Sequence, residues 1–179
     1  MELSSVYDTG IHPMQQSYSS PPRIEGVQLD QLAVHSDEGG SFIELCRVDQ
    51  GKLQGLPDFE ILQSNYSRVM PGAIKAWHMH LNQEDVWFVS PWDSLLVALY
   101  DLRDDSPTVG TLMRFTMGSG RASRLYIPRG VAHGCMNVTT APVTMQYFVN
   151  QRFDPLNPDE YRYPPCALTR EVVWEMTHG

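Results

Sequence analysis

The chain has 179 residues, a formal net charge of −8 and a pI near 5.1. This acidic balance argues against duplex nucleic acid as a partner, because phosphate binding uses clustered Lys and Arg, and lysine occurs only at Lys52 and Lys75. No apolar run reaches the roughly 18 residues that a membrane-spanning helix needs. We therefore expect a soluble protein with one globular domain and with neither nucleic acid nor membrane as a partner.

The cysteines and the start of the chain bear on the cellular compartment. Cys46, Cys135 and Cys166 form an odd, sparse set, which is not the pattern of a disulfide framework. The first residues lack the basic and apolar segments of a signal peptide. The sequence therefore predicts a cytoplasmic location.

The first part of the chain, residues 1–23, is polar and interrupted by Gly10, Pro13 and the pair Pro21-Pro22. Such composition disfavours a packed element, so we expect an extended N-terminal arm. The last part, residues 154–179, is rich in proline, and we expect it to wrap the domain as an extended segment.

Between these ends, residues 24–153 alternate short apolar runs with turn signals, which is typical of an all-β sandwich or barrel. The runs are rich in Val, Ile, Leu, Phe, Trp and Tyr, the residues that favour pleated strands. The predicted strands are 27–34, 42–47, 59–66, 73–80, 85–89, 94–101, 112–116, 124–127, 134–138 and 143–149.

Two histidine clusters fall inside this domain. His78 and His80 lie two residues apart, so in a strand they project to the same side. Glu84 and His133 could converge on the same point. Three imidazoles and a carboxylate in a concave β interior suit either a transition metal or proton-transfer catalysis, and the residues alone leave both open.

The spacing Gly-x5-His-x-His-x3-Glu, followed by Pro-x-Gly-x2-His-x3-Asn, resembles the two signature motifs of the cupin superfamily. The matching residues are Gly72, His78, His80, Glu84, Pro128, Gly130, His133 and Asn137. This resemblance implies a double-stranded β-helix, or jelly roll. It also implies a possible divalent transition metal. The ligands would be His78, His80, Glu84 and His133.

A narrower resemblance, from about Ile24 to Tyr163, is to the dTDP-4-dehydrorhamnose 3,5-epimerase family. Its most specific part is the segment Asp101-Leu-Arg-Asp-Asp-Ser-Pro-Thr-Val-Gly110. Other matching segments are 26–27, 37–44, 63–67, 72–78 and 127–134. The resemblance implies an isomerase of carbohydrate biosynthesis that inverts C3, C5 or both in a dTDP-4-keto-6-deoxyhexose, without a required cofactor.

By the same resemblance, His78 is the general base and Tyr147 is the acid that reprotonates the opposite face. The positions that match nucleotide-sugar contacts are Phe42, Glu44, Gln63, Asn65, Lys75 and His133. Several of these contacts come from a neighbouring subunit in the family, which implies a homodimer.

Three positions depart from the family pattern. Gly39 replaces an arginine that contacts the diphosphate, and Asp85 replaces a lysine that holds negative charge on the ketone oxygen. No aspartate follows Asp159 to pair with the base. Two alternatives therefore stay open beside the epimerase, a metal-dependent cupin isomerase or dioxygenase and a catalytically inactive sugar-nucleotide binding protein. In a regular strand, Lys75 and His78 would project to opposite faces of the sheet. Only a bulge between them would bring Lys75 to the face of His78.

Overall fold

The computed structural model describes residues 20–169 and 173–176. Most of the predicted arm, residues 1–19, lies outside them, as do 170–172 and 177–179 in the predicted wrapping segment. The regular secondary structure of the described residues consists of strands alone. None of these residues belongs to a helix long and apolar enough to cross a membrane.

The strands, in chain order, are β1 Gln28–Gln31, β2 Val34–Asp37, β3 Gly40–Ile43, β4 Val48–Asp49, β5 Lys52–Leu53, β6 Leu56–Glu60, β7 Gln63–Val69, β8 Ile74–Met79, β9 Asp85–Val89, β10 Ser94–Asp101, β11 Leu112–Gly118, β12 Ser123–Ile127, β13 Val131–Asn137, β14 Val143–Val149 and β15 Tyr161–Arg162. Three predicted strands, 85–89, 94–101 and 143–149, have the observed bounds. The predicted strand 59–66 divides between β6 and β7, and β13 begins three residues before the predicted 134.

Two antiparallel five-stranded sheets form the body of the domain. Their strand orders are β1-β12-β9-β14-β7 and β11-β10-β13-β8-β15. The non-consecutive neighbours are those of a jelly roll, so the predicted fold class is confirmed. A β2–β3 hairpin and a small β4-β5-β6 sheet complete the regular structure of the described residues.

The apolar core lies between the two sheets because inward and outward residues alternate along the strands. In β12, Ser123, Leu125 and Ile127 are buried while the residues between them are partly exposed. Val97 and Leu99 of β10 face them across the core and are fully buried. Burial of such a side chain contributes about 1.5 to 3 kcal/mol, so the core holds the sheets at a fixed separation.

A β-bulge interrupts the pairing of β8 with β13. His78 pairs with His133, but Lys75 rather than Ala76 pairs with Cys135, so β8 has one extra residue. The extra residue restores Lys75 to the face that carries His78. At the bulge, β8 and β13 come so close that a Cβ on Gly134 would lie 2.9 Å from the Lys75 carbonyl oxygen.

The C-terminal segment adds the short strand β15 to the edge of the second sheet. Tyr161 pairs with Met79, and Arg162 pairs with His78. Just before β15, the Asp159 carboxylate accepts hydrogen bonds from three consecutive backbone N–H groups in the loop after β8. The donors are Leu81, Asn82 and Gln83, at 3.0, 2.7 and 2.7 Å. Segment and loop are thereby fixed to each other.

Candidate active site

A cavity of about 270 Å³ opens between the two sheets, on the side where β8 and β15 lie. It is lined by Ser67, Lys75, His78, His80, Gln83, Asp85, Trp87, His133, Cys135, Met145, Tyr147, Glu160 and Arg162. The structure thus brings together His78, His80 and His133, as their spacing predicted. His133 is central, with its ring centroid 6.2 Å from that of His78 and 5.2 Å from that of His80.

His78 has a carboxylate partner, Glu160, that lies immediately before β15. Because paired residues of neighbouring strands share a face, Arg162 projects to the side of His78, and Glu160, two residues earlier, does so as well. Glu160 Oε1 lies 3.6 Å from His78 Nδ1. Burial lowers the pKa of His78, the negative charge of Glu160 opposes that shift, and Arg162 reinforces it. The imidazole is therefore neutral near pH 7, with a group in place to support it when protonated.

Glu160 is itself held by Arg162. Its Oε1 accepts a hydrogen bond from Arg162 Nε at 2.6 Å and lies 2.5 Å from Nη2 of the same ion pair. Burial raises the pKa of Glu160, but the Arg162 hydrogen bond and the nearby His78 outweigh burial and lower it overall. The carboxylate is thus ionised beside His78.

Tyr147 faces the cavity from β14, in the other sheet, where it pairs with Trp87 of β9. Burial raises the pKa of this phenol, and the negative charges of Asp85 and Glu160 raise it further. Tyr147 therefore keeps its proton near neutral pH and faces the same space as His78 from the opposite sheet.

His133 and Asp85 form a buried pair at the base of the cavity. His133 Nδ1 donates to the Val131 carbonyl at 3.1 Å, and its Nε2 lies 3.8 Å from Asp85 Oδ2. Burial lowers the pKa of His133, against the opposing charge of Asp85. Asp85 is held by Gln83 Nε2 at 2.8 Å and by Trp87 Nε1 at 2.9 Å.

The predicted metal ligands do not all meet. His80, Asp85 and His133 offer ligand atoms within 4.8 Å of one another, but Glu84 is not among them. Instead, Glu84 Oε2 accepts from Asn150 Nδ2 at 3.1 Å. Successive residues of a strand face opposite sides, so as β9 begins Asp85 turns inward and Glu84 outward. In this arrangement Glu84 lies apart from the converging side chains, and Asp85 is the carboxylate near His80 and His133.

The predicted substrate contacts fall into two groups. Lys75 lines the cavity and donates to Ser67 Oγ at 2.9 Å. Gln63 and Asn65, joined by a hydrogen bond of 2.7 Å, line an adjoining cavity of about 460 Å³. Both cavities share His80, Gln83, Tyr147 and Glu160.

Phe42 and Glu44 do not line the cavity of their own chain. Phe42 is 63% exposed on the β2–β3 hairpin, and Glu44 accepts from Arg47 at 2.8 Å. Their predicted role consequently requires the cavity of a neighbouring subunit.

Two cavity residues, Glu160 and Arg162, have no role in the sequence-based prediction. The prediction sought an aspartate as the partner of the base, whereas the structure supplies a glutamate. One signal pointed to them: charged residues at 160 and 162 alternate with Tyr161 and Tyr163, as in a strand with one polar face.

Fold and cavity together define a class: a cupin-type jelly-roll protein with a histidine–carboxylate pair and a tyrosine suited to proton transfer. The model of the family dTDP-4-dehydrorhamnose 3,5-epimerase matches residues 21–174. The chain belongs to the dTDP-4-dehydrorhamnose 3,5-epimerase family.

Individual relatives agree with this assignment. The spore coat polysaccharide biosynthesis protein SpsL of Bacillus subtilis strain 168 is 41% identical over 141 residues, 79% of this chain and 89% of that protein. The probable low-salt glycan biosynthesis epimerase Agl13 of Haloferax volcanii is 33% identical over 159 residues, 88% of this chain and 99% of that protein. A dTDP sugar isomerase from Desulfovibrio desulfuricans G20 has a TM-score of 0.70 at 28% identity, covering 80% of this chain and 87% of that one.

These findings confirm the predicted family, its isomerase class and its place in carbohydrate biosynthesis. They favour the sugar-nucleotide epimerase over the metal-dependent enzyme.

Proposed function

We propose that this protein inverts C3, C5 or both in a dTDP-4-keto-6-deoxyhexose, with His78 as base and Tyr147 as acid. The observation that carries this proposal is the placement of His78 and Tyr147 on opposite sheets around one cavity, with Glu160 beside His78. An inversion needs a base on one face of the carbon and an acid on the other.

The chemistry begins with a proton next to the C4 ketone, which is acidic because its loss gives an enolate. Neutral His78 takes this proton, and the resulting imidazolium is stabilised by Glu160 at 3.6 Å. Tyr147, whose pKa is raised by burial, then supplies a proton to the opposite face. Only protons move in this sequence, so the reaction requires no redox cofactor.

Asp85 has the wrong sign to support an enolate directly. Its two oxygens already accept hydrogen bonds from Gln83 and Trp87, and these donors reduce the repulsion that the carboxylate would exert. Asp85 is 3% exposed, and its role in this proposal is to face His133.

The nucleotide part of the substrate extends beyond the sugar cavity in this proposal. Lys75, Gln63 and Asn65 contact it from the same chain, while Phe42 and Glu44 reach it from the partner in a homodimer. His133 contacts the sugar at the base of the cavity. The exposure of Phe42 supports this arrangement, because a large apolar side chain at 63% exposure is free for a subunit contact.

We also propose that the enzyme acts in the cytoplasm, with residues 24–153 as its jelly-roll domain, 1–23 as an arm and 154–179 as a wrapping segment. All three cysteines are free thiols, which suits a reducing compartment.

The test is deuterium exchange at C3 and C5 of dTDP-4-keto-6-deoxyglucose in D₂O, with and without a chelator. We expect exchange that survives chelation and is lost in His78→Ala, while His78→Ala still binds dTDP. Exchange that stops on chelation would contradict the proposal in favour of a metal enzyme. Nucleotide-sugar binding without exchange would identify a binding protein instead.

A further inference from the structure

We propose that Arg162 binds the diphosphate of the substrate. In doing so it breaks its ion pair with Glu160, and the Glu160 carboxylate becomes available to His78. This inference rests on the proposed nucleotide-sugar substrate and assigns a role to a residue that the family resemblance did not mark. It makes Arg162 both a substrate-binding residue and the link between binding and the base.

The charge of the cavity sets the requirement. A nucleoside diphosphate sugar brings about two negative charges, and the cavity itself contains the carboxylates Asp85 and Glu160. Among the described residues that line the cavity, the Lys and Arg side chains that could balance this negative charge are Lys75 and Arg162. Both lie on the face of His78, Lys75 through the bulge in β8 and Arg162 through its pairing with His78.

The Arg162 side chain is largely exposed to solvent. It is 72% exposed, and its contacts given by the structure are those to Glu160. An exposed ion pair of this kind is weak, whereas a guanidinium binds a phosphate with two parallel charge-assisted hydrogen bonds. A diphosphate entering the cavity mouth therefore competes well with one carboxylate.

The distances show what such a move would do to Glu160. Its Oε1 lies 2.5 to 2.6 Å from the Arg162 nitrogens but 3.6 Å from His78 Nδ1, which is too long for a hydrogen bond. Once Arg162 turns to the diphosphate, Glu160 closes on His78. Binding energy from the remote diphosphate is thus used to orient the base.

The test is calorimetric titration with dTDP and with thymidine, which lacks the phosphates. We expect Arg162→Ala to weaken dTDP binding roughly 10- to 100-fold and to leave thymidine binding unchanged. Arg162→Lys should recover part of the dTDP affinity. Arg68→Ala is the matched control, because Arg68 is exposed on the outer side of edge strand β7.

A double-mutant cycle tests the exchange of partners. Glu160→Gln should bind dTDP more tightly than the unmodified protein, because Arg162 no longer has to leave a carboxylate. That gain should vanish in Arg162→Ala/Glu160→Gln. In steady-state kinetics, Arg162→Ala should raise KM much more than it lowers kcat, because in this variant Glu160 has no arginine partner and can already contact His78.

Unchanged dTDP affinity in Arg162→Ala, or a Glu160→Gln gain that persists in the double variant, would overturn the inference. The protein could also bind dTDP through Arg162 and yet exchange no proton at C3 or C5. That result would support the inference but contradict the proposed function. If the unmodified protein does not bind dTDP, both are wrong.

Discussion

At the scale of single residues, the chemistry of His78 depends on what surrounds its ring. Burial favours the neutral form that can accept a proton, while Glu160 favours the protonated form that results. An imidazole under both influences can take up a proton and hold it. The effects of burial and of Glu160 on the pKa of His78 can be separated experimentally. Burial arises from all the residues around the ring, whereas the carboxylate can be removed by one substitution.

We expect Glu160→Gln to shift the acid limb of kcat/KM to lower pH. The base must be neutral to work, so activity falls as the pH drops through the pKa of His78, which lies below the ordinary value of 6.5. Removing Glu160 removes an influence that raises this pKa, and the limb moves further down. The measurement is the pH dependence of kcat/KM, and a limb that moves to higher pH would contradict the assignment of Glu160.

Tyr147→Phe should separate proton removal from inversion. His78 remains able to take a proton from the substrate and return deuterium to the same face, so exchange at the carbon persists. Inversion should fall about 10²- to 10⁴-fold, because the other face has lost its acid. Proton NMR of the sugar in D₂O measures both quantities, and equal loss of the two would argue against Tyr147 as the acid.

At the scale of strands, the bulge in β8 decides which side chains enter the cavity. Without the extra residue, Lys75 would face away from His78. The bulge requires a close approach of β13, and this approach is possible because position 134 is glycine. One glycine on a neighbouring strand thereby sets the position of a lysine.

Gly134→Ala should destabilise the protein by about 1 to 3 kcal/mol, because the new methyl group meets the Ala76 side chain and the Lys75 carbonyl. Weaker dTDP binding should accompany this loss as Lys75 is displaced. Gly39→Ala is the control, since its added methyl group would meet only the movable side chain of Asp37. Urea denaturation and titration with dTDP provide the two measurements. A fully stable Gly134→Ala protein would show that the bulge can form without glycine.

The sequence predicts the strands best where alternation is regular and turns are clear. The bounds of β9, β10 and β14 are recovered, and the parity of His78 and His80 correctly places both rings in the cavity. The bulge is not recoverable, because the extra residue is defined only by the pairing of two strands. The position of β15 is not recoverable for the same reason: the alternation over residues 160–163 indicates a polar face, but only the pairing with β8 places that face in the cavity.

At the scale of the whole molecule, two of the predicted substrate contacts lie outside the substrate cavities of their own chain. Phe42 and Glu44 lie on and just after an exposed hairpin, apart from the cavity that contains His78. A twofold dimer would complete two equivalent sites, each with a hairpin from the other subunit. The base and the hairpin of one chain would then belong to different sites.

Mixing inactive variants tests this arrangement. His78→Ala and Phe42→Ala should each be impaired alone, but refolding them together should restore activity in about a quarter of the sites, because a mixed dimer has one site with no substitution. Light scattering should show a dimer throughout. No recovery on mixing would mean that Phe42 serves the cavity of its own chain or none.

The short strand β15 has a further consequence for how the cavity lining is assembled from the chain. His78, His133 and Tyr147 all precede the end of β14, whereas Glu160 and Arg162 follow it. The two sheets without β15 would form the cavity but leave His78 without Glu160 beside it. The charge next to His78 therefore depends on a pairing of only two residues at the edge of a sheet.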